Sequence, residues 1–134
     1  MHLNYSKAHT LSAKVIGAAI EVHRHKGPGL IESIYERCLL HELHLQKISA
    51  INQAIVPLEY KGLIFDEPLR LDTYVKGCLI VEKKVGEKIL PIHKAQLLSY
   101  MKLLYAPLGL LINYHESLLK DGVTRLILPG ADHL

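Results

Sequence analysis

Asp72 and the triplet Glu82-Lys83-Lys84 are the residues whose types and spacing could do chemistry. On a strand, positions two apart face the same side, so Glu82 and Lys84 point together and Lys83 points away from them. Asp72 lies on the preceding strand-like run. A two-residue turn at Lys76-Gly77 would pair Asp72 with Val81 and send Glu82 to the wrong side. A three-residue loop, Lys76-Gly77-Cys78, pairs Val75 with Leu79 and Asp72 with Glu82, and glycine at its left-handed position is what that geometry needs. Two carboxylates so placed suit a hard cation. Mg²⁺ prefers oxygen ligands at about 2.0–2.1 Å and commonly takes one or two carboxylates, leaving waters and a substrate phosphate to complete the octahedron. Such an ion lowers the pKa of bound water and offsets charge growing on phosphorus. Lys84, alongside, could hold the attacking water and stabilise that charge. Acid–acid–lysine sets on strand surfaces are usually solvated or paired. What sharpens this one is Leu79-Ile80-Val81 leading directly into Glu82, because a carboxylate entering a buried strand is costly unless something compensates it.

The elements that must position these residues follow from periodicity. Between Thr10 and Arg24, apolar residues recur at Leu11, Val15, Ile16, Ala19, Ile20 and Val22, which is helical spacing. Gly27-Pro28-Gly29 stops that helix. A second helix, from about Ile31 to Gln46, carries Ile31, Ile34, Tyr35, Cys38, Leu39 and Leu43 inward. The period then changes. Ile51 to Tyr60 is β-rich, Tyr60-Lys61-Gly62 reads as a turn, and a short strand follows through Phe65. Leu69 to Val75 alternates, with Arg70, Asp72 and Tyr74 on one side and Leu71, Thr73 and Val75 on the other. Leu79 to Val85 is the next strand. A third helix runs from about Ile92 to Leu104, amphipathic through Leu97, Met101 and Leu104. Leu108 to Asn113 reads as a buried strand, and Val123 to Leu128 as the last, after the turn Lys120-Asp121-Gly122. The order α-α-β-β-β-α-β-β implies an α/β fold with a mixed β-sheet flanked by α-helices.

Composition bounds the rest. The 134 residues are expected to form one domain, 1–134. They are 49% apolar and 22% charged, ordinary for a globular protein. No apolar run approaches the ~20 residues that span a bilayer, and the N-terminus lacks the pattern of a secretory signal, so a cytoplasmic location is expected. The two cysteines, Cys38 and Cys78, are read as buried reduced thiols. A net charge of +3 tolerates a polyanionic partner without arguing strongly for one. The histidine pairs His23/His25 and His41/His44 match no zinc pattern and are read as surface residues. His93, opening the third helix near Gln96, could touch substrate. Gly27-Pro28-Gly29 lacks the Walker spacing, and no Gly-x-Ser-x-Gly is present.

The segment Gly29-Leu30-Ile31-Glu32-Ser33-Ile34-Tyr35 resembles the signature of the GxxExxY proteins, a branch of the PD-(D/E)XK nuclease superfamily. The similarity continues through Arg70-Leu71-Asp72, Ile80-Val81-Glu82-Lys83-Lys84, His93-Lys94-Ala95-Gln96-Leu97-Leu98-Ser99-Tyr100 and Leu110-Leu111-Ile112-Asn113. The order and spacing of these segments, more than any one of them, make the resemblance specific. It implies a restriction-endonuclease-like core, with Asp72 and Glu82 matching the metal carboxylates and Lys84 the lysine. Glu32 would match the acid of the first core helix, a metal ligand directly or through water, with Glu36 one turn on as its rival. Gln96 and Tyr100, four apart on one helix face, would position substrate or the lysine. Lys83 departs from the pattern, since relatives more often carry an apolar residue there; facing away, it is expected not to touch the metal chemistry. Glu32 also has a plain explanation, because acids are favoured at helix N-termini whatever their function. A polar pair such as Gln96 and Tyr100 amid leucines is commonly structural, and Tyr35 reads as core.

Two functions of different kinds follow, with a histidine-bound transition-metal protein as a weaker third. One is a nuclease dependent on Mg²⁺ or Mn²⁺, hydrolysing phosphodiesters in DNA or RNA. The other is a catalytically inactive nuclease-fold module that binds nucleic acid or a protein partner. A domain this small could need a homodimer to grip a duplex, and a membrane partner is not expected.

Overall fold

The computed structural model describes residues 1–66, 69–84 and 88–134. Helix α1 (Tyr5–Lys26) buries Ala8, Leu11, Val15, Ala18, Ala19 and Val22, a stripe spaced three and four apart. Ile20 lies off that stripe and is exposed. Gly27, at φ 73°, ends the helix, its N–H reaching back to the His23 carbonyl at 2.7 Å. Helix α2 (Glu32–Leu45) buries Tyr35, Leu39 and Leu43. Ile31, expected inside, is exposed: it is the cap residue, with extended backbone, and so lies outside the helical stripe. The Tyr35 hydroxyl closes the intervening turn, donating to the Gly27 carbonyl and accepting the Leu30 N–H at 3.0 Å. Its ring is stacked on Tyr114 at 4.4 Å.

Strand β1 (Ala50–Val56) ends at Pro57, which cannot donate to a ladder and splits the expected Ile51–Tyr60 run. Strands β2 (Glu59–Tyr60) and β3 (Leu63–Ile64) form a separate two-stranded ribbon. Next come β4 (Leu69–Val75), β5 (Leu79–Lys84), α3 (Pro91–Leu104), β6 (Leu108–Asn113), a 3₁₀ turn at Leu119–Gly122, and β7 (Val123–Ile127). The expected strand end at Val85 falls outside the described residues. The sheet order is β1-β4-β5-β6-β7, with β5 and β6 parallel across the α3 crossover and every other pair antiparallel. Its five strands and the three helices follow the expected order, the ribbon being an insertion.

Each face of the sheet carries its own apolar cluster. Side chains of α1 and α2 pack with Val75, Leu79, Val81, Leu110 and Ile112. Those of α3 pack with Leu71, Ile80 and Leu111. Strand β6, covered on both faces, is buried at all six positions. Helix α3 sits so close that a methyl on Gly109 would lie 2.8 Å from Met101 Sδ and 2.9 Å from Leu97 Cδ1.

Strands β1 and β4 do not keep one face throughout. In β4 the alternation of burial is as expected, yet Val75 joins the α1–α2 cluster while Leu71 joins the α3 cluster, with Tyr74 packed against it. In β1, Ala50 and Val56 divide the same way. The switch coincides with Gln53, whose φ of 56° is left-handed, and its cross-strand neighbour Asp72, the one position at which the regular β1–β4 register is interrupted. The expectation that Leu71, Thr73 and Val75 share a face is therefore corrected at Asp72.

Candidate metal and active site

The β4–β5 hairpin places the two acids. Val75 pairs with Leu79, Tyr74 with Ile80 and Thr73 with Val81, the register expected for a three-residue loop, with Gly77 at φ 65°. Beyond Thr73 the side chains take over the ladder. The Asp72 N–H donates to Glu82 Oε2 at 3.0 Å, and the Lys83 N–H donates to Asp72 Oδ2 at 2.8 Å. Each carboxyl is thus held by the other residue's strand, and the face switch leaves Asp72 reachable from both sides of the sheet.

Glu82 is buried, 8% exposed. Burial, and next the Asp72 carboxyl beside it, push its pKa up to about 9; the Asp72 N–H and the Lys83 cation pull the other way. A buried Glu82 carboxyl with that of Asp72 beside it is a pair of hard oxygen donors whose charge a divalent cation would offset. Among the described residues no group of three or more His, Cys, Asp or Glu side chains is close enough to hold a metal. An ion here would therefore rely on two carboxylates, within the range that Mg²⁺ accepts.

A cavity of about 210 Å³ opens over the pair. Its acidic wall is Glu32, Asp72 and Glu82, its cationic wall Arg70, Lys83 and Lys84, and its α3 wall His93, Gln96, Leu97 and Tyr100. All six residues expected in the site meet there. Glu32 is the first residue of α2 and is exposed; Glu36, its rival, instead takes the Lys83 ammonium at 2.7 Å. Lys84 is half-buried and, among the described residues, makes no ion pair. Gln96 Nε2 donates to the Tyr100 hydroxyl at 3.2 Å. His93 Nδ1 accepts the Leu90 N–H at 3.0 Å, so a neutral ring carries its proton on Nε2.

Lys83 is the main correction. Its Cβ leaves on the α1–α2 face as alternation requires, yet its ammonium reaches within 3.3 Å of Asp72 Oδ1. A four-carbon stem and an Asp72 sitting at the face switch make that contact possible. Strand alternation put Arg70 on the Asp72 side; the switch at Asp72 breaks that alternation, and Arg70 lines the cavity all the same, which nothing in the sequence signalled. His23, expected at the surface, is buried and bonded through Nε2 to the Glu116 carbonyl at 2.8 Å. Cys38 and Cys78 are both free, Cys78 buried and Cys38 half-buried. A larger cavity, about 690 Å³, lies along α1 and α2 and contains His25, His41 and His44. Glu21 and Glu42 also line it, but Glu21 is paired with Arg24 and His25, and among the described residues no group there is close enough to hold a metal.

A family model described as PD-(D/E)XK nuclease superfamily matches residues 9–126. Neither a curated protein nor a solved structure matches the chain.

Proposed function

Because the chain belongs to the PD-(D/E)XK nuclease superfamily, we propose that it hydrolyses phosphodiester bonds in DNA or RNA with the help of Mg²⁺ or Mn²⁺. The reading is carried by one observation: the Asp72 and Glu82 carboxyls meet, with Glu82 buried, in the cavity that Lys84, Gln96 and Tyr100 also line. Asp72 and Glu82 would hold the ion, and Glu32, on the wall of the same cavity but not close enough to make a third direct ligand, would approach it through water. The bound ion supplies Lewis acidity and a more acidic water. Lys84 orients that water and offsets charge on the phosphate. Gln96 and Tyr100 fix the neighbourhood of the lysine. Arg70 and the Nε2–H of His93 supply donors to phosphate oxygens. The Gly29-to-Tyr35 and His93-to-Tyr100 segments support placement in the GxxExxY branch. A cavity of about 210 Å³ takes a short stretch of backbone, so gripping a duplex would fall to a homodimer. Among the described residues no helix is long and apolar enough to cross a membrane.

The test is cleavage of single- and double-stranded DNA and RNA with Mn²⁺ or Mg²⁺. Activity should vanish in Asp72→Ala and Glu82→Ala while circular dichroism and melting show a retained fold. Cleavage persisting in both variants refutes the assignment. A second reading, a binding module that does not cut, is favoured by the Lys83 ammonium already lying against Asp72. Salt-dependent binding of nucleic acid without cleavage under any divalent ion would select it.

A further inference from the structure

Lys83 takes no step in the chemistry proposed above, yet among the described residues it is the cation at the site with ion pairs on two acids. Its ammonium lies 2.7 Å from Glu36 Oε1 and 3.3 Å from Asp72 Oδ1, with side-chain exposures of 14%, 11% and 24% for Lys83, Glu36 and Asp72. Glu36 is itself anchored. Gln53 Nε2 donates to the same Oε1 at 2.9 Å, and Asn52 Nδ2 donates to the Glu36 carbonyl at 3.3 Å. The Thr73 hydroxyl in turn holds Asn52 Oδ1 at 2.8 Å. One fixed carboxylate on α2 and one on β4 thus face each other with a single positive charge between them.

Two-metal phosphodiesterases set a pair of divalent ions about 3.5–4 Å apart, clamping the attacking and leaving oxygens. A carboxylate shared by such a pair must offer its oxygens on two sides. Asp72 lines the cavity with Glu82; its Oδ2 accepts the Lys83 backbone N–H at 2.8 Å, and its Oδ1 faces the ammonium. A lysine ammonium is a compact point charge on a tethered stem. We propose that the Lys83 ammonium fills the position a second divalent cation would take between Asp72 and Glu36, so that the centre binds one ion and not two. With Lys83 the Asp72–Glu36 pair carries one net negative charge; without it, two charges face each other in a half-buried setting that attracts a divalent ion. The inference rests on Asp72 and Glu82 being the metal carboxylates.

The experiment counts Mn²⁺ bound to the full chain, without nucleic acid, by calorimetry and electron paramagnetic resonance. Wild type and Lys83→Arg should bind one ion per chain. Lys83→Met should bind two, with dipolar broadening of the spectrum, and adding Glu36→Gln should return the count to one. Lys83→Gln, which keeps a hydrogen-bonding side chain in place, repeats the test should Lys83→Met fail to fold. Two ions in wild type, or a single ion in folded Lys83→Met or Lys83→Gln, overturns the role of Lys83 and leaves the metal reading standing. Wild type that binds no Mn²⁺ overturns both.

Discussion

Glu82→Gln should make the metal-free protein more stable at neutral pH while abolishing metal binding. Glutamate in the unfolded chain titrates near 4.5, whereas the folded Glu82 carboxyl, desolvated first of all by burial and then opposed by Asp72, holds its proton up to about 9. The native state therefore binds the proton more tightly, and the sign follows from linkage. The contribution of Glu82 to stability is complete below pH 4.5 and is lost as pH rises through 9. The loss runs at about 1.4 kcal/mol per pH unit and reaches roughly 3 kcal/mol at pH 7. Glutamine has no proton to take up, and its amide oxygen can still accept the Asp72 N–H that Glu82 accepts at 3.0 Å. The variant should match wild type at pH 4.5 and exceed it at pH 7 by roughly 3 kcal/mol, which for a chain of this length is about 10 °C in Tm. Thermal and urea melts in EDTA at pH 4.5, 7 and 8.5 measure this directly, and Mn²⁺ should then raise the wild-type midpoint alone. Parallel wild-type and variant curves across that range, or a variant less stable at pH 7, would refute the argument that burial and Asp72 hold Glu82 protonated.

Three further outcomes follow from the same geometry. At pH 7, Mn²⁺ binding should release about one proton per chain, because a coordinating Glu82 must be ionised; calorimetry in two buffers of different ionisation enthalpy reads it, and equal heats argue against it. Tyr35→Phe removes the hydroxyl shared by the Gly27 carbonyl and the Leu30 N–H. It should cost roughly 1–3 kcal/mol, seen as a lower urea midpoint at unchanged slope. Gly109→Ala sets a methyl against Met101 and Leu97; loosening α3 over the sheet should cost roughly 1–3 kcal/mol, and an unchanged midpoint would mean that those side chains yield freely.

Much of the frame was legible because local chemistry fixed it. Gly77 announced a left-handed loop position, which set the Val75–Leu79 register and brought Asp72 toward Glu82. Gly27 stopped the first helix, and the unbroken apolar run Leu108–Ile112 marked a strand buried on both faces. Gln96 and Tyr100 at four-residue spacing did share a face and a hydrogen bond. The misses have a different physical origin. Nothing in Ala50–Val56 signals that Gln53 turns left-handed, so the face switch at Asp72 could not be read from alternation. Alternation also fixes only where a Cβ points, and the Lys83 charge travels several ångströms beyond it to Glu36 and Asp72. His23 was misjudged for a related reason: only the fold brings the Glu116 carbonyl to its ring.

The kink at Gln53 matters beyond the acid beside it. Strand β1 lies at a border of the sheet and contains no charged residue, with Ile51 and Ile55 exposed. An uninterrupted border of that composition would invite strands from other molecules to stack on it. The left-handed residue at its middle cuts the run into two stretches of three residues each, too short and too differently directed to template a foreign strand. A single distorted backbone position thus bears on colloidal behaviour as well as on the presentation of Asp72.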